Sequence, residues 1–223
     1  MDHSTARPPS GIDDRPYSRP ERVSDALVHL AALILALGAV PVLITLTAVW
    51  RGDAWRIAGV SLYGTTLIVM LIASLAYNHL PRPEWRRMLQ RLDQSAIYLK
   101  IAGTYTPFAL LSGAGGTLLA VIWSVALLAT AGTFVLPKRP MAVGVGICLA
   151  MGWAVVIGGR DLLAVMSTPV VVLMIVGGSL YSLGTLFLML ERLRFHNTIW
   201  HVFVVAASTV FYVAIFLHAA QTA

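Results

Sequence analysis

The sequence predicts an all-α integral membrane protein, a bundle of seven transmembrane helices with a cytoplasmic N-terminus. Of its 223 residues, 58% are hydrophobic and only 12% are charged, whereas a soluble domain typically carries about 25% charged residues. The hydrophobic residues fall in stretches of about 20, which are long enough to cross the hydrocarbon layer. Because lipid offers the backbone no hydrogen-bond partners, such stretches must be helical. A single soluble core is therefore excluded.

The charged residues indicate membrane topology rather than binding to nucleic acid. The chain has 16 Lys and Arg against 10 Asp and Glu, but the basic residues cluster between the apolar stretches, where topology signals lie. The single cysteine, Cys148, excludes an intramolecular disulfide. We therefore expect membrane lipids as partners and no nucleic acid.

The first 22 residues differ in composition from the rest of the chain. Residues 1–22 are rich in Pro, Arg, Asp and Ser and lack the apolar core of a signal peptide, which predicts a disordered cytoplasmic tail. Residues 23–223 are assigned to the seven-helix transmembrane domain. Its first helix is expected to start with Ser24 as the N-cap residue and with Asp25 in the first turn, where an acidic side chain is favourable.

Seven spans follow one another with short connections that are rich in turn residues. Their predicted bounds are Ala26–Val49, Arg56–Asn78, Ser95–Leu111, Thr117–Leu136, Met141–Ile157, Leu162–Leu190 and Thr198–Ala219. Two polar residues lie inside or near the ends of these spans. Lys100 is expected to extend toward the nearer membrane surface, as lysines in spans commonly do, with inward pairing as the alternative. His29 is expected to form a hydrogen bond within the bundle.

The orientation follows from the Lys and Arg residues of alternate connections. With the N-terminus inside, twelve of them fall in the inner segments and three in the outer ones, and Lys100 is left within a span. Because basic residues accumulate on the cytoplasmic side, the N-terminus is expected inside and the C-terminus outside. We expect alkaline phosphatase fused after Ala223 to be active and a cytoplasmic reporter fused there to be inactive. The reverse pair of results would contradict this topology.

Polar residues that can bind a metal or one another lie at the cytoplasmic ends of three predicted spans. They are Ser74, Asn78, His79, Asp93, His196, Asn197 and His201. Ser74 and Asn78 are four residues apart and share a helix face, as do Asn197 and His201. Polar groups at membrane depth are costly and usually face the bundle interior, which predicts that these side chains meet in one cavity. The alternative is that they only mark the membrane surface, where His and Asn cost little.

Two long segments carry a family resemblance. "SLAYNHLPRPEWRRMLQRLDQSAIYLKIAGTYTPF" and "GGSLYSLGTLFLMLERLRFHNTIWHVFVVAAS" resemble the hemolysin III proteins of bacteria, which are grouped with the progestin and adiponectin receptor family. The resemblance runs from about Ser24 to the C-terminus. It implies seven helices with a cytoplasmic N-terminus, in agreement with the distribution of basic residues, and it implies a multi-pass protein of the bacterial inner membrane.

The resemblance also implies a zinc site. In the family, Ser-x-x-x-His ends helix two, Asp begins helix three and His-x-x-x-His opens helix seven. The three histidines bind zinc, and the aspartate reaches it through water. This chain keeps Ser74, Asp93 and His201, but Asn78 and Asn197 occupy the other two histidine positions. By the same resemblance, Asp93 is the catalytic base or water-orienting residue and Ser74 supports it.

The two asparagines weaken the case for zinc at these positions. An amide oxygen is a poor, neutral substitute for imidazole, so zinc bound by His201, Asn78 and Asn197 is expected to be weak or absent. His79 and His196 are each one residue from a lost position, a rotation of about 100 degrees on a helix. Either can take part only if the helix end unwinds or shifts register. Restoring both histidines, as Asn78→His with Asn197→His, is expected to rebuild the family's triad.

Three functions are consistent with this sequence. The first, implied by the resemblance, is membrane lipid homeostasis through sensing or hydrolysing a lipid amide or ester, with zinc-bound water as the nucleophile. The second is a channel or pore, which the hemolysin name implies, although few charges line the predicted spans. The third is a metal-free member that keeps only the fold and its contacts with lipid. Metal analysis separates the first from the others, and liposome flux separates the second from the third.

Overall fold

The computed structural model describes residues 18–136 and 140–222, except for the side chain of Arg51, and within these residues the chain is helical without strands. The helices are α1 Arg19–Arg51, α2 Ala54–His79, α3 Arg86–Ser112, α4 Gly116–Val135, α5 Met141–Gly158, α6 Arg160–Ala164, α7 Thr168–Met189 and α8 His196–Gln221, and a 3₁₀ turn at Pro83–Trp85 precedes α3. The prediction of an all-α membrane protein is confirmed.

The first helix begins earlier than the sequence pattern indicated. Its N-cap is Ser18, whose hydroxyl accepts a hydrogen bond from the backbone N–H of Glu21, while the Glu21 carboxylate accepts one from the N–H of Ser18. This reciprocal pair is a capping box, and Pro20 in the first turn is compatible with a helix start. The prediction of Ser24 as the N-cap was therefore wrong, and residues 19–22 are helical. The rest of the predicted tail, residues 1–17, lies outside the described residues.

The predicted sixth span is divided into two helices. The short α6 ends at Ala164, and α7 begins at Thr168 after Ser167 as its N-cap residue. Pro169 is in the first turn of α7, where its missing N–H costs nothing, whereas inside one continuous helix it would remove a backbone hydrogen bond and clash with the preceding turn. The apolar stretch from Leu162 to Leu190 therefore does not form one continuous helix.

Helix α3 is the central helix of the bundle. It packs against α2, α4, α5 and α8, while α8 also packs against α1 and α7. Six of the described helices are long and apolar enough to cross a membrane, namely α1, α2, α4, α5, α7 and α8. Helix α3 is less apolar because its first turns, which begin "RRMLQR", are polar and largely exposed. The count of seven spans and the orientation remain predictions.

Close packing between α2 and α3 brings together two of the three helix ends that were predicted to meet. Gly103 of α3 lies against Thr66 of α2, so near that a side-chain Cβ at Gly103 would be 2.1 Å from the Thr66 hydroxyl oxygen. Small residues at such crossings allow backbones to approach closely. The same crossing brings Ser74 near the end of α2 beside Asp93 near the start of α3.

Candidate functional site

A buried carboxylate, that of Asp25 on α1, lies at the centre of a polar cluster between α1, α2 and α8. Its side chain is 2% exposed. The Nδ1 atom of His201 lies 2.6 Å from one carboxylate oxygen, and the Nε2 atom of His79 lies 2.9 Å from the other. The Nδ1 atom of His29 lies 3.5 Å from the second oxygen. One carboxylate thus contacts three imidazoles that come from three helices.

The helices position these groups in a simple way. Asp25 and His29 are four residues apart on α1 and therefore project from one face, with the Nδ1 atom of His29 also 2.9 Å from the Asp25 carbonyl oxygen. The rings of His29 and His201 contact each other edge to face, with centroids 4.1 Å apart. The Ser74 hydroxyl lies between them, 3.0 Å from His29 Nε2 and 3.4 Å from His201 Nε2.

The two asparagines in the family's histidine positions contact each other. The amide nitrogen of Asn197 donates to the amide oxygen of Asn78 over 3.1 Å. The amide nitrogen of Asn78 in turn donates to the carbonyl oxygen of Ser74 over 2.9 Å. The amide oxygen of Asn78 is held in place by these bonds. It already accepts a hydrogen bond from Asn197. The pair therefore ties α2 to α8 beside the cluster and does not fit a zinc site well.

Asp93 on α3 adds a second carboxylate to the site, and one of its oxygens has no hydrogen-bond partner among the described residues. That oxygen is Oδ1, which is buried, whereas the side chain as a whole interacts with Ser74 and His201. An unpaired buried oxygen is costly, so this atom is ready to accept a proton or a hydrogen bond from a molecule that enters the site.

The structure therefore brings Ser74, Asn78, Asn197, His201 and Asp93 to one end of the bundle. Of the two proposed substitutes, His79 joins the cluster through Asp25. The Nδ1 atom of His196 lies 3.2 Å from the carbonyl oxygen of Leu193 in the preceding turn.

Sequence reasoning missed Asp25 and underestimated His29 as members of this site. Asp25 was interpreted only as a favourable charge at a helix start. The available signal was the Asp-x-x-x-His spacing on one helix face, the same spacing that drew attention to Ser74 with Asn78.

Asp25, His29 and His201 form a group that could hold a metal ion. All three are buried, and one ligand atom from each lies within 4.8 Å of those of the other two. Two imidazoles with one carboxylate form a known ligand set for catalytic zinc and for non-haem iron, and such a set leaves positions open for water or substrate. The donors that Asn78 and Asn197 do not supply at the family's positions are thus present on α1.

A cavity of about 990 Å³ extends from this cluster into the bundle. Asp25, His29, Ser74, Asp93 and His201 line its polar end. The remaining wall is largely apolar and is contributed by α3, α5, α7 and α8, including Ile97, Ile101, Leu149, Met174, Ile175 and Val204. A volume of this size lies at the upper end of the range for small-molecule pockets.

Lys100 also lines this cavity. Its exposed fraction is 3%, and its Nζ atom donates a hydrogen bond to the hydroxyl of Tyr181 on α7. The prediction that Lys100 extends toward the membrane surface was therefore wrong, because α3 is enclosed by other helices and its lysine faces the bundle interior.

Comparison with known proteins places the chain in a family. The model of the family described as "Haemolysin-III related" matches residues 18–212, which include every residue of the cluster. The chain belongs to this family. It is similar to the "Hemolysin-3 homolog" of Bacillus subtilis (strain 168), with 33% identity over 89% of this chain and 94% of that protein. It is also similar to "Hemolysin-3" of Bacillus cereus, with 31% identity over 91% of this chain and 94% of that protein.

A more distant similarity is to a human protein. The "Monocyte to macrophage differentiation factor" of Homo sapiens is 27% identical over 73% of this chain and 71% of that protein. Membership of the haemolysin-III-related family, together with several apolar helices of membrane-spanning length, makes this chain a multi-pass cell membrane protein.

Proposed function

We propose that this haemolysin-III-related protein contributes to membrane lipid homeostasis by hydrolysing a lipid ester or amide at the Asp25–His29–His201 cluster, with zinc as its metal. The observation that supports the proposal is the position of the cluster. A carboxylate and two imidazoles, a ligand set for catalytic zinc, are buried at the polar end of a cavity whose other walls are apolar. A lipid can place its carbonyl group at the polar end and its acyl chain along the apolar wall.

The residues around the cluster have distinct roles in this proposal. Zinc, when bound, supplies a hydroxide nucleophile at neutral pH. The Oδ1 atom of Asp93, which has no hydrogen-bond partner among the described residues, accepts the proton of the attacking water and later passes it to the leaving alcohol or amine. The water oxygen forms the new bond to the carbonyl carbon, the ester or amide bond breaks, and a carboxylic acid is released. Ser74 forms hydrogen bonds with both His29 and His201 and holds the two rings in position.

Two other functions would require different structural features. The printed names of two bacterial relatives contain the word hemolysin, and pore formation would require a polar path across the bundle. A metal-free lipid-binding member would need only the cavity, and the hydrogen bond between Asn78 and Asn197 is the observation that favours it.

The test is hydrolysis in vesicles of defined lipid composition. Purified protein, reconstituted with zinc into vesicles that contain lipid esters and lipid amides, is expected to release carboxylic acids that mass spectrometry detects, and chelation is expected to stop the release. Asp93→Asn is expected to lower the rate about 100-fold or more, the usual contribution of a general base. The matched control is Asp161→Asn, since Asp161 is exposed on α6, and its rate should equal that of the unmodified protein.

Each alternative predicts a different result in the same vesicles. Leakage of an encapsulated dye without any released acid would overturn the proposal in favour of a pore. If the vesicles show no leakage and no acid release, whether or not zinc is added, the proposal is overturned in favour of a metal-free binding protein.

A further inference from the structure

A buried lysine in the cavity has neighbours that are hydroxyl groups and aromatic rings. The Lys100 Nζ atom donates to the Tyr181 hydroxyl and lies 4.2 Å from the centroid of that ring and 5.6 Å from the centroid of the Phe211 ring. The Tyr181 hydroxyl forms a second hydrogen bond, 2.7 Å long, with the Ser208 hydroxyl. This Lys100–Tyr181–Ser208 group joins α3, α7 and α8.

Within residues 18–136 and 140–222, no carboxylate forms an ion pair with Lys100. A cation at membrane depth is costly unless it is paired, and such residues usually mark a binding site. Contacts with aromatic rings stabilise a cation only weakly compared with a carboxylate partner. The group therefore provides a positive charge and two hydroxyls without a matching negative charge.

The lysine lies deeper in the bundle than the Asp25–His29–His201 cluster. Lys100 follows Asp93 by seven residues on α3, and Ser208 follows His201 by seven residues on α8. Seven residues are two helical turns, a rise of about 10 Å. On both α3 and α8 the residue of this group lies two turns beyond a residue of the polar end. The Lys100–Tyr181–Ser208 group therefore forms a second polar level in the cavity. Apolar residues such as Ile97 and Val204 lie between the two levels on the same helices and line the cavity.

We propose that the Lys100–Tyr181–Ser208 group binds the carboxylate of an amphiphilic monocarboxylate whose apolar chain occupies the rest of the cavity. One lysine matches one negative charge, and the two hydroxyls can donate to the second carboxylate oxygen. A phosphate dianion would leave a negative charge uncompensated. The apolar wall requires a ligand with a long hydrocarbon part, and a small hydrophilic anion would leave that wall uncovered. The inference goes beyond the proposed hydrolysis, because it requires no metal at the Asp25–His29–His201 cluster.

The test measures binding of dodecanoate and of its uncharged methyl ester to full-length protein in detergent, after treatment with a chelator. Isothermal titration calorimetry is expected to show dodecanoate binding that weakens at least about tenfold in Lys100→Met, because a buried charge pair loses one partner. Methyl dodecanoate should bind both proteins equally. Lys100→Arg, which keeps the charge, should retain dodecanoate binding. Arg160→Met is the matched control, since Arg160 is an exposed cation, and it should bind dodecanoate like the unmodified protein.

Other results would overturn the inference. Equal affinity of the unmodified protein for dodecanoate and for the methyl ester would show that the charge is not recognised. Equal loss of both ligands in Lys100→Met would show that Lys100 only supports the cavity. If Lys100→Met does not fold, Lys100→Gln replaces it, with the same two ligands and the same criteria. Since the protein is free of metal, a negative result for hydrolysis leaves this measurement unaffected.

Discussion

Replacing Asp25 with asparagine is expected to lower zinc affinity on the order of 100-fold or more. Asp25 supplies the only carboxylate of the Asp25–His29–His201 cluster and contacts His201 over 2.6 Å. Zinc sites with three or four strong ligands bind with about 10–16 kcal/mol, so each ligand contributes several kcal/mol, and 1.4 kcal/mol is tenfold. Competition with a chelator, followed by elemental mass spectrometry, measures the change, and the zinc content of the unmodified protein should approach one ion per chain.

The control variants distinguish a zinc site at Asp25, His29 and His201 from one at Asn78, Asn197 and His201. His29→Ala should resemble Asp25→Asn, whereas His196→Ala should bind zinc normally, because the ring of His196 lies against the Leu193 carbonyl oxygen. If Asn78→Ala or Asn197→Ala abolished binding while Asp25→Asn did not, the α1 cluster would be the wrong site. Unmodified protein that takes up no zinc at micromolar concentrations would instead support a polar remnant of a metal site.

Removing the Glu21 side chain is expected to lower the free energy of unfolding by about 3 kcal/mol. The Glu21 carboxylate is fully buried and accepts hydrogen bonds from the N–H groups of Ser18 and Phe195, each 3.0 Å long. Phe195 is the N-cap residue of α8, so one carboxylate serves the starts of two helices. Leaving a fully buried donor without an acceptor costs about 1–3 kcal/mol. Glu21→Ala leaves two donors that are partly buried, so their combined cost is about 3 kcal/mol.

Unfolding by heat in detergent, followed by circular dichroism, measures this effect. Glu84→Ala is the matched control, since the Glu84 side chain is 58% exposed and its nearest cation is 3.8 Å away, and its melting temperature should not change measurably. Glu21→Ala should also weaken zinc binding, because it releases the start of α8, which carries His201. Equal melting temperatures for Glu21→Ala and the unmodified protein would show that the junction of α1 and α8 does not depend on this carboxylate.

The fold followed from composition to a large extent, but the details of helix ends did not. Long apolar stretches in lipid can only be helices, so the helical architecture was predictable. The start of α1 was misplaced because Ser18 and Glu21 lie in a polar segment, and a capping box there resembles ordinary tail sequence. The break before α7 lies at Ser167, Thr168 and Pro169, a short interruption in a largely apolar stretch.

The candidate site was predictable only where one helix carried the information. Ser74 with Asn78, and Asn197 with His201, were found because residues four apart share a helix face. The contribution of Asp25 depends on α1 packing beside α8, a contact between residues 176 positions apart in the chain, and no local pattern encodes it. Lys100 was misinterpreted for a related reason, since the usual behaviour of lysine in lipid does not apply to a helix surrounded by protein.

The separation of Asp25 and His29 from His201 along the chain has a consequence for biogenesis. The ribosome delivers helices to the membrane in order, so α1 is inserted long before α8 is made. Until then Asp25 and His29 have no third ligand from α8, and a chain released before His201 cannot form the triad. Capture of the zinc that we propose would therefore wait until translation has reached α8.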